Sequence, residues 1–470
     1  MSARPLRRGA RLITAGLLLA LPLGLLTTPS QAAPTPAIKA TATVDTLFPE
    51  VGNAGYDVRH YDIALTYRAT NGAIVAKTVI TAKAAKRLTS FTLDLEGLTV
   101  DRVRVDGKAA TFTRSKNKLV VTPASPVKGT FTTTVDYHGV PTTHIDPDGA
   151  PDGWIPTTDG ATTLNEPVGA MTWFPNNNTP RDKATFDFAI TVPSALEVAS
   201  NGVLRSQQER GMQTTWSWRE KQPMATYLAM ISIGDYDVYY STMKLRSGKT
   251  LPIWSFIDPS LGSLSDQRKL IPEVIRFQEA RYGPYPFDSA GIVVKPIEVG
   301  YALETQERPF FDQTPDTSTI VHEFAHQWYG NSVTPKDWGD IWLNEGFATY
   351  AESVWDQAHG GPSTAATFQQ IYDANDAASS LWTPAPADLR DPEFLFADPV
   401  YVRGSLTLEA LRMRVGTKDL NTILKRWAQE KKGKTVSTAQ FIALSERVSG
   451  KNLDPFFRTW LYRASKPKGY

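Results

Sequence analysis

The chain has 470 residues, with 50 lysine and arginine residues against 48 aspartate and glutamate residues. That length is enough for two or three domains, each with its own hydrophobic core. The net charge of +2 argues against a broad basic surface, so nucleic acid is not an expected partner. Because the sequence holds no cysteine, disulfides, thiolate metal sites and cysteine nucleophiles are excluded.

The first 33 residues have the pattern of a secretory signal peptide. Four arginines and no acid lie within residues 1–11, an apolar stretch follows over 12–26, and residues 30–33 read Ser-Gln-Ala-Ala. The apolar stretch is shorter than the roughly 20 residues that a membrane-spanning helix needs. We therefore expect export, removal of the signal, and a secreted, extracellular protein with no stable membrane insertion after processing. Without the four arginines, 46 basic groups face 48 acidic ones, so the processed chain is near −2.

Residues 34–45, rich in proline, threonine and alanine, should form a flexible lead-in to the folded part. Residues 46–243 then have the short alternating runs of an N-terminal β domain, for example over 61–67 and 186–190. Asp106-Gly107 is a strong signal for a two-residue hairpin, because this pair adopts positive φ at low cost. An antiparallel sandwich or saddle-shaped sheet is the expected architecture.

From residue 244 onward helical periodicity dominates the sequence. Strand-like runs over 251–257 and 291–296 come first, and eight helices are predicted, over 264–281, 316–329, 342–358, 363–380, 400–415, 417–431, 437–448 and 453–463. The predicted fold class is therefore α+β and multidomain, with a β-rich domain followed by a mainly helical domain over 244–470.

The motif His322-Glu323-Phe324-Ala325-His326 decides the functional interpretation. Asp316 or Thr317 can cap its helix, on which residues four apart share one face. Both imidazoles can therefore bind one zinc ion from adjacent turns. Glu323 then lies beside the metal, where a carboxylate can take a proton from the attacking water.

A catalytic zinc site takes three protein ligands and keeps one position open. The next helix offers Glu345, 19 positions after His326, within Trp-Leu-Asn-Glu-Gly-Phe-Ala. Glu352 follows two turns later on the same face, where it can accept a hydrogen bond from a ligand histidine and orient that ring. The predicted cofactor is one Zn²⁺ ion held by His322, His326 and Glu345.

This arrangement resembles the gluzincin signature of M1 zinc aminopeptidases, the aminopeptidase N-like family. That signature is H-E-x-x-H, 18 intervening residues, and then the glutamate of W-L-N-E-G-F-A. The stretches around 61–63, 173–186 and 454–462 also resemble that family's N-domain and the end of its catalytic domain. The resemblance implies a thermolysin-like catalytic domain over 244–470, in a short two-domain form without further C-terminal domains.

Three further site residues are implied by this resemblance. Tyr401, in a Y-x-x-G context, matches the family's tyrosine that stabilises the developing oxyanion. Glu304 matches the glutamate of the family's G-A-M-E-N segment, which binds the α-amine of the substrate, although the segment here reads Tyr-Ala-Leu-Glu-Thr over 301–305. Glu166, ahead of Trp173-Phe174-Pro175, has the spacing of the N-domain residue that assists it.

The predicted function is a zinc aminopeptidase that acts on peptides with a free N-terminus. The altered segment 301–305 keeps open a zinc endopeptidase or a hydrolase of a non-peptide substrate. A binding protein with a structural zinc ion is the alternative from another class. His60, His138, His144 and His359 are expected at surface or helix-cap positions, and the sequence leaves the oligomeric state open.

Overall fold

The computed structural model describes residues 44–468. The predicted signal peptide, and the predicted lead-in up to residue 43, lie outside the described residues. The predicted domain boundaries remain predictions.

The described chain begins with a long series of strands. They are β1 (Tyr56–Arg68), β2 (Ala73–Leu88), β3 (Phe91–Asp94), β4 (Thr99–Val105), β5 (Lys108–Ser115), β6 (Lys118–Thr122), β7 (Val127–Gly139), β8 (Thr143–Ile145), β9 (Pro151–Pro156), β10 (Ala161–Leu164), β11 (Lys183–Pro193), β12 (Glu197–Ser200), β13 (Val203–Arg210), β14 (Gln213–Ala225) and β15 (Ile231–Gly234).

Ten of these strands form one sheet in the order β13-β14-β11-β1-β2-β7-β4-β5-β6-β3. Alternate residues of β11 are buried, because side chains along a strand point to opposite faces and only the apolar set faces the core. β4 and β5 form the predicted hairpin, in which Asp106 and Gly107 have φ values of 49° and 75°.

The second sheet has the order β12-β15-β10-β9-β8. Its Trp154 contacts Tyr67 of the large sheet, with ring centroids 6.2 Å apart, so the two sheets share one core. β10 ends at Leu164, two residues before Glu166. This sheet therefore determines where Glu166 lies.

The rest of the chain is mainly helical, as predicted. Its strands are β16 (Asp237–Lys244), β17 (Thr250–Ile257), β18 (Val293–Val294), β19 (Ala302–Leu303), β20 (Phe310–Phe311), β21 (Thr334–Pro335) and β22 (Thr435–Val436). Its helices are α1 (Ser265–Tyr282), α2 (Thr317–Ala325), α3 (Trp342–Ala358), α4 (Thr364–Ala374), α5 (Gly404–Val415), α6 (Thr417–Glu430), α7 (Thr438–Ser449) and α8 (Asp454–Leu461). A third sheet has the order β16-β17-β18-β20-β19.

The predicted helices are all present between residues 44 and 468, but two of them, α2 and α4, end four or more residues before their sequence patterns do. α2 ends at Ala325 rather than at residue 329, because the next hydrogen bonds tighten to a span of three residues, as from Trp328 N–H to the Ala325 carbonyl at 3.0 Å. α4 ends at Ala374 rather than at residue 380, where Asn375 adopts an extended conformation. The predicted fold class, a β-rich domain followed by a helical domain, is confirmed.

α3 and α5 approach each other closely, and this contact positions the segment before α5. A Cβ atom on Gly346 would lie 2.8 Å from the backbone of Gly404, so glycine at both positions allows the two helices to touch. Pro399–Arg403, just before α5, forms a π-helical turn that contains Tyr401. Within residues 44–468, no helix combines the length and apolar character that crossing a bilayer requires.

Candidate metal and substrate site

α2 carries the first two predicted ligands. Asp316 caps this helix by accepting a hydrogen bond from Thr319 N–H at 2.8 Å, as the sequence predicts. His322 lies within α2, and His326 is the residue at its C-terminal cap, where it keeps helical φ and ψ. The early end of α2 therefore leaves the two rings neighbours, with centroids 4.8 Å apart.

α3 brings Glu345 to both histidines. Glu345 Oε2 lies 3.4 Å from His322 Nε2 and 3.5 Å from His326 Nε2. One ligand atom of each of the three residues lies within 4.8 Å of the other two. The predicted ligand set is thus brought together by two consecutive helices.

The other nitrogen of each histidine ring already has an acceptor. His322 Nδ1 lies 2.6 Å from Glu352 Oε1, and His326 Nδ1 lies 3.1 Å from the Tyr329 carbonyl oxygen. A carbonyl can only accept, so Nδ1 of His326 donates to it, and Nε2, which faces Glu345, is the nitrogen that can bind a metal after losing its proton. Two imidazole nitrogens and one carboxylate oxygen form a donor set that suits zinc.

The electrostatics of the ligand set follow from burial and mutual proximity. Burial alone would raise the pKa of Glu345, but the adjacent His326 and His322 lower it to about 2. Burial would lower the pKa of His326, but Glu345 and Glu304 raise it to about 9. The ligand carboxylate is therefore ionised at neutral pH, as metal binding requires.

Glu323 is buried, with 6% of its surface exposed. Its carboxylate, one atom of His326 and one oxygen of Glu304 lie within 4.8 Å of one another. Burial raises the pKa of Glu323 to about 8, against the opposing effect of both histidines. A carboxylate with a raised pKa is a better proton acceptor than an ordinary one.

Glu304 and Glu166 meet beside Glu345, although 138 positions separate them in the chain. One carboxylate oxygen of each of the three residues lies within 4.8 Å of the other two. Glu304 and Glu166 are 3% and 7% exposed, and Oε1 of each has no hydrogen-bond partner. Burial raises the pKa of both carboxyl groups.

Tyr401 lies against the first ligand histidine. Its ring is stacked on the His322 ring, with centroids 6.2 Å apart and planes at 22°. Burial raises the pKa of Tyr401 well above the ordinary value, and Glu345 adds to that effect. The phenol therefore keeps its proton and can donate a hydrogen bond.

The residues that hold Glu304 in place were not singled out by the sequence. The Glu304 carbonyl accepts hydrogen bonds from Asn331 Nδ2 at 2.6 Å and from Gln327 Nε2 at 3.3 Å. Both donors follow the second histidine closely, one and five residues after it. Only the fold reveals that these amides contact Glu304.

A further anchor joins the β-rich part to the segment after the second histidine. Lys183 Nζ, at the start of β11, donates to the carbonyls of Asn331 and Ser332 at 2.7 and 3.0 Å. On the other side, the residue before Glu166 is also fixed, because Asn165 Oδ1 accepts from Trp173 Nε1 at 3.0 Å. The relative positions of Glu166 and Glu304 thus depend on specific polar contacts.

The β-rich domain, the helical domain and the converging His-His-Glu set define the class: a zinc metallopeptidase architecture. Comparison with known proteins agrees. Residues 58–228 match the Peptidase M1 N-terminal domain, and residues 301–460 match the Peptidase family M1 domain. The chain belongs to the M1 family of zinc metallopeptidases, and the resemblance drawn from its motifs is confirmed.

Solved structures similar over nearly the whole chain include two-domain members of this family. An M1 zinc metallopeptidase mutant from Deinococcus radiodurans, bound to a Tyr-Ser-Ala substrate, is 28% identical with a TM-score of 0.82, over 89% of this chain and 96% of that one. A two-domain M1 zinc metallopeptidase mutant bound to L-tryptophan is 28% identical with a TM-score of 0.83, over 90% of this chain and 99% of that one.

Curated relatives match over a smaller part of their own length. Aminopeptidase N of Streptomyces lividans is 26% identical over 314 residues, which are 61% of this chain and 36% of that protein. Aminopeptidase M1-D of Oryza sativa subsp. japonica is 24% identical over 67% of this chain and 38% of that protein. The matched region therefore spans about two fifths of the length of these relatives.

Proposed function

We propose that this protein is an exported zinc aminopeptidase that removes N-terminal residues from peptides. The observation that carries the proposal is the pair of buried carboxylates, Glu304 and Glu166, beside the ligand Glu345. Each has an oxygen without a hydrogen-bond partner. Buried charges need a partner of opposite sign, and the α-ammonium group of a peptide supplies both a charge and three hydrogen-bond donors.

Proximity to the metal ligands supports cleavage after the first residue. Glu304 shares one cluster with Glu323 and His326, and another with Glu345 and Glu166. An ammonium group bound by Glu304 and Glu166 would leave only a short length of peptide between it and the ligand set. The first peptide bond would then lie at the metal.

His322, His326 and Glu345 would hold the zinc ion. When bound, zinc would polarise the scissile carbonyl and lower the pKa of the attacking water. Glu323 would accept a proton from that water and return it to the leaving amine. Tyr401 would donate a hydrogen bond to the oxygen that gains negative charge in the transition state.

The names of similar proteins support the same substrate class. The Streptomyces lividans relative is an aminopeptidase N, and the Deinococcus radiodurans neighbour binds a Tyr-Ser-Ala substrate. Because Thr305 stands where the family's segment has asparagine, we expect the peptide backbone to dock differently beside Glu304. Side-chain preference is therefore expected to differ from that of other family members.

The decisive experiment digests paired peptides that differ only in N-terminal acetylation, with mass-spectrometric readout. Both are incubated with the zinc-loaded protein, with and without a chelator. We expect stepwise loss of N-terminal residues from the free peptide, no cleavage of the acetylated peptide, and no activity with the chelator. Equal cleavage of both peptides would support the endopeptidase alternative instead.

Variants test the individual roles. Glu323→Gln should lower kcat by about 10²- to 10⁴-fold, the usual contribution of a general base. Glu304→Gln should lower kcat/KM for free peptides by about 10- to 100-fold, since a charged hydrogen bond is worth roughly 1.5–3 kcal/mol. The exposed Glu298 provides the matched control, and Glu298→Gln should behave as wild type. Full activity of Glu323→Gln with zinc bound would refute the mechanism.

Export is proposed from the sequence pattern of residues 1–33. Expression of the full chain in a bacterial host should yield extracellular protein whose N-terminus, by Edman sequencing, lies near residue 34. A chain without residues 1–33 should stay inside the cells. Retention of the full chain with an intact N-terminus would contradict this proposal.

A further inference from the structure

A second cluster of metal-binding side chains lies in the β-rich part, at the β8–β9 hairpin. Asp146 follows β8, while His144 and Asp152 face each other in the β8–β9 ladder. A tight turn closes the hairpin, with Asp146 N–H donating to the Ala150 carbonyl at 2.9 Å. One ligand atom each of His144, Asp146 and Asp152 lies within 4.8 Å of the other two.

The two carboxylates are buried without sufficient partners. Asp146 is 6% exposed and Asp152 is 0% exposed, yet Oδ1 of each accepts no hydrogen bond. No lysine or arginine within residues 44–468 forms an ion pair with either of them. Because an uncompensated buried carboxylate is unfavourable, the pair points to a positive ligand.

One ring nitrogen of His144 already has a carboxylate partner, as is common in metal-binding histidines. Its Nδ1 lies 3.0 Å from Glu96 Oε2, which leaves Nε2 for another ligand. The same arrangement occurs at the zinc site, where His322 Nδ1 pairs with Glu352, and metal-ligating histidines commonly show it. The His144 side chain is 22% exposed, so solvent reaches the cluster. The expected surface position of His144 is therefore only partly correct.

We propose that His144, Asp146 and Asp152 bind a second divalent cation, of the class that accepts mixed imidazole and carboxylate ligands, such as Zn²⁺ or Mn²⁺. Calcium is not expected, because it takes oxygen ligands almost exclusively, whereas imidazole suits transition metals and zinc. Asp148, in the same turn, adds a further negative charge that attracts a cation.

The position of this cluster connects it to the substrate site. Asp152 Oδ2 accepts from Val168 N–H at 3.3 Å, and the Pro151 carbonyl accepts from the Tyr301 hydroxyl at 2.6 Å. Val168 lies two residues after Glu166, and Tyr301 lies three residues before Glu304. The cation would therefore brace both amine-binding carboxylates, a consequence that rests on the proposed function.

Metal counting on the full chain tests the proposal directly. The protein is stripped with a chelator, reloaded with Zn²⁺ or Mn²⁺, gel-filtered and analysed by mass spectrometry for metal content. Wild type should hold two equivalents, Asp146→Asn and His144→Gln should hold one, and a His322→Ala/His326→Ala double variant should hold the other one. His138→Gln is the matched control, because His138 also pairs with a carboxylate, Asp101 at 2.9 Å.

The outcomes of this experiment distinguish a failure of this proposal from a failure of the proposed function. If the double variant holds no metal while wild type holds one equivalent, the hairpin binds no cation and its carboxylates retain protons instead. Uptake of Ca²⁺ in preference to Zn²⁺ and Mn²⁺ would overturn the assigned class. Bound metal in the double variant should also raise its thermal midpoint, an effect that Asp146→Asn should abolish.

The effect on catalysis is a separate readout. Asp146→Asn should raise KM for free peptides several-fold while kcat changes little, because the brace acts on amine binding. If Asp146→Asn loses the second metal ion but keeps the wild-type KM, the hairpin metal site is real but does not affect Glu166 and Glu304.

Discussion

Glu352 provides the sharpest test of how this chain orients its metal ligands. Its Oε1 lies 2.6 Å from His322 Nδ1, and its Oε2 accepts from Ser318 Oγ at 2.7 Å. Glu352→Gln keeps the length and one acceptor oxygen but removes the charge. Glu352→Ala removes both the acceptor and the charge, so the two variants separate orientation from electrostatics.

The expected magnitude follows from the geometry and exposure of the pair. Loss of a partner behind a ligand histidine costs about 10- to 100-fold in metal affinity, which is about 1.4 to 2.7 kcal/mol at 1.36 kcal/mol per tenfold change. The Glu352 side chain is 28% exposed, so water screens its charge. Glu352→Gln should therefore weaken zinc binding by about tenfold, and Glu352→Ala should approach 100-fold.

The assay is competition for zinc against a chelator of known affinity, at one pH. Ser318→Ala is the control, because it removes the Ser318–Glu352 hydrogen bond and keeps the pair between Glu352 and His322. Its zinc affinity should equal that of wild type. If Glu352→Ala binds zinc as tightly as Ser318→Ala does, the reasoning about ligand orientation is wrong.

Three further predictions concern the contacts that hold the site. Burial lowers the pKa of Lys183 to about 7, so the folded protein binds fewer protons than the unfolded chain between about pH 7 and 10.5. The free energy of unfolding should therefore rise with pH through that window, and Lys183→Met should reduce this rise, as measured by urea melts at several pH values. A pH dependence equal to that of wild type would contradict this prediction. Gly346→Ala should lower the free energy of unfolding by about 1–3 kcal/mol, because overpacking against Gly404 outweighs the roughly 1 kcal/mol gain in helix propensity. A thermal midpoint equal to that of wild type would argue against this prediction. Gln327→Leu removes a hydrogen bond to the Glu304 carbonyl, so KM for free peptides should rise by a larger factor than kcat falls. Steady-state kinetics with the reverse pattern would count against a role of Gln327 in positioning Glu304.

Much of the fold and the metal site follows from local patterns in the sequence. Strand alternation predicts β1 and β11, and Asp106-Gly107 predicts the β4–β5 hairpin, because side-chain period and turn chemistry act over a few residues. Helical spacing likewise places His322 and His326 on one face. The predicted end of α2 was wrong, but His326 keeps helical dihedral angles. The two histidines therefore still lie on one face, as predicted.

The composition excludes thiolate chemistry, the length is enough for two or three domains, and the spacing of two histidines and one glutamate indicates a zinc site. These conclusions need only residue types and short distances along the chain. Only the tertiary structure brings Glu166 to Glu304, aims Asn331 at the Glu304 carbonyl, and buries Asp146 and Asp152 around His144. The first two contacts join segments that lie far apart along the chain, and the burial of the hairpin residues depends on how whole layers pack. No local pattern encodes that packing, which is why the pairing of Glu166 with Glu304 was predicted only from the family resemblance and the hairpin cluster was found only from the fold.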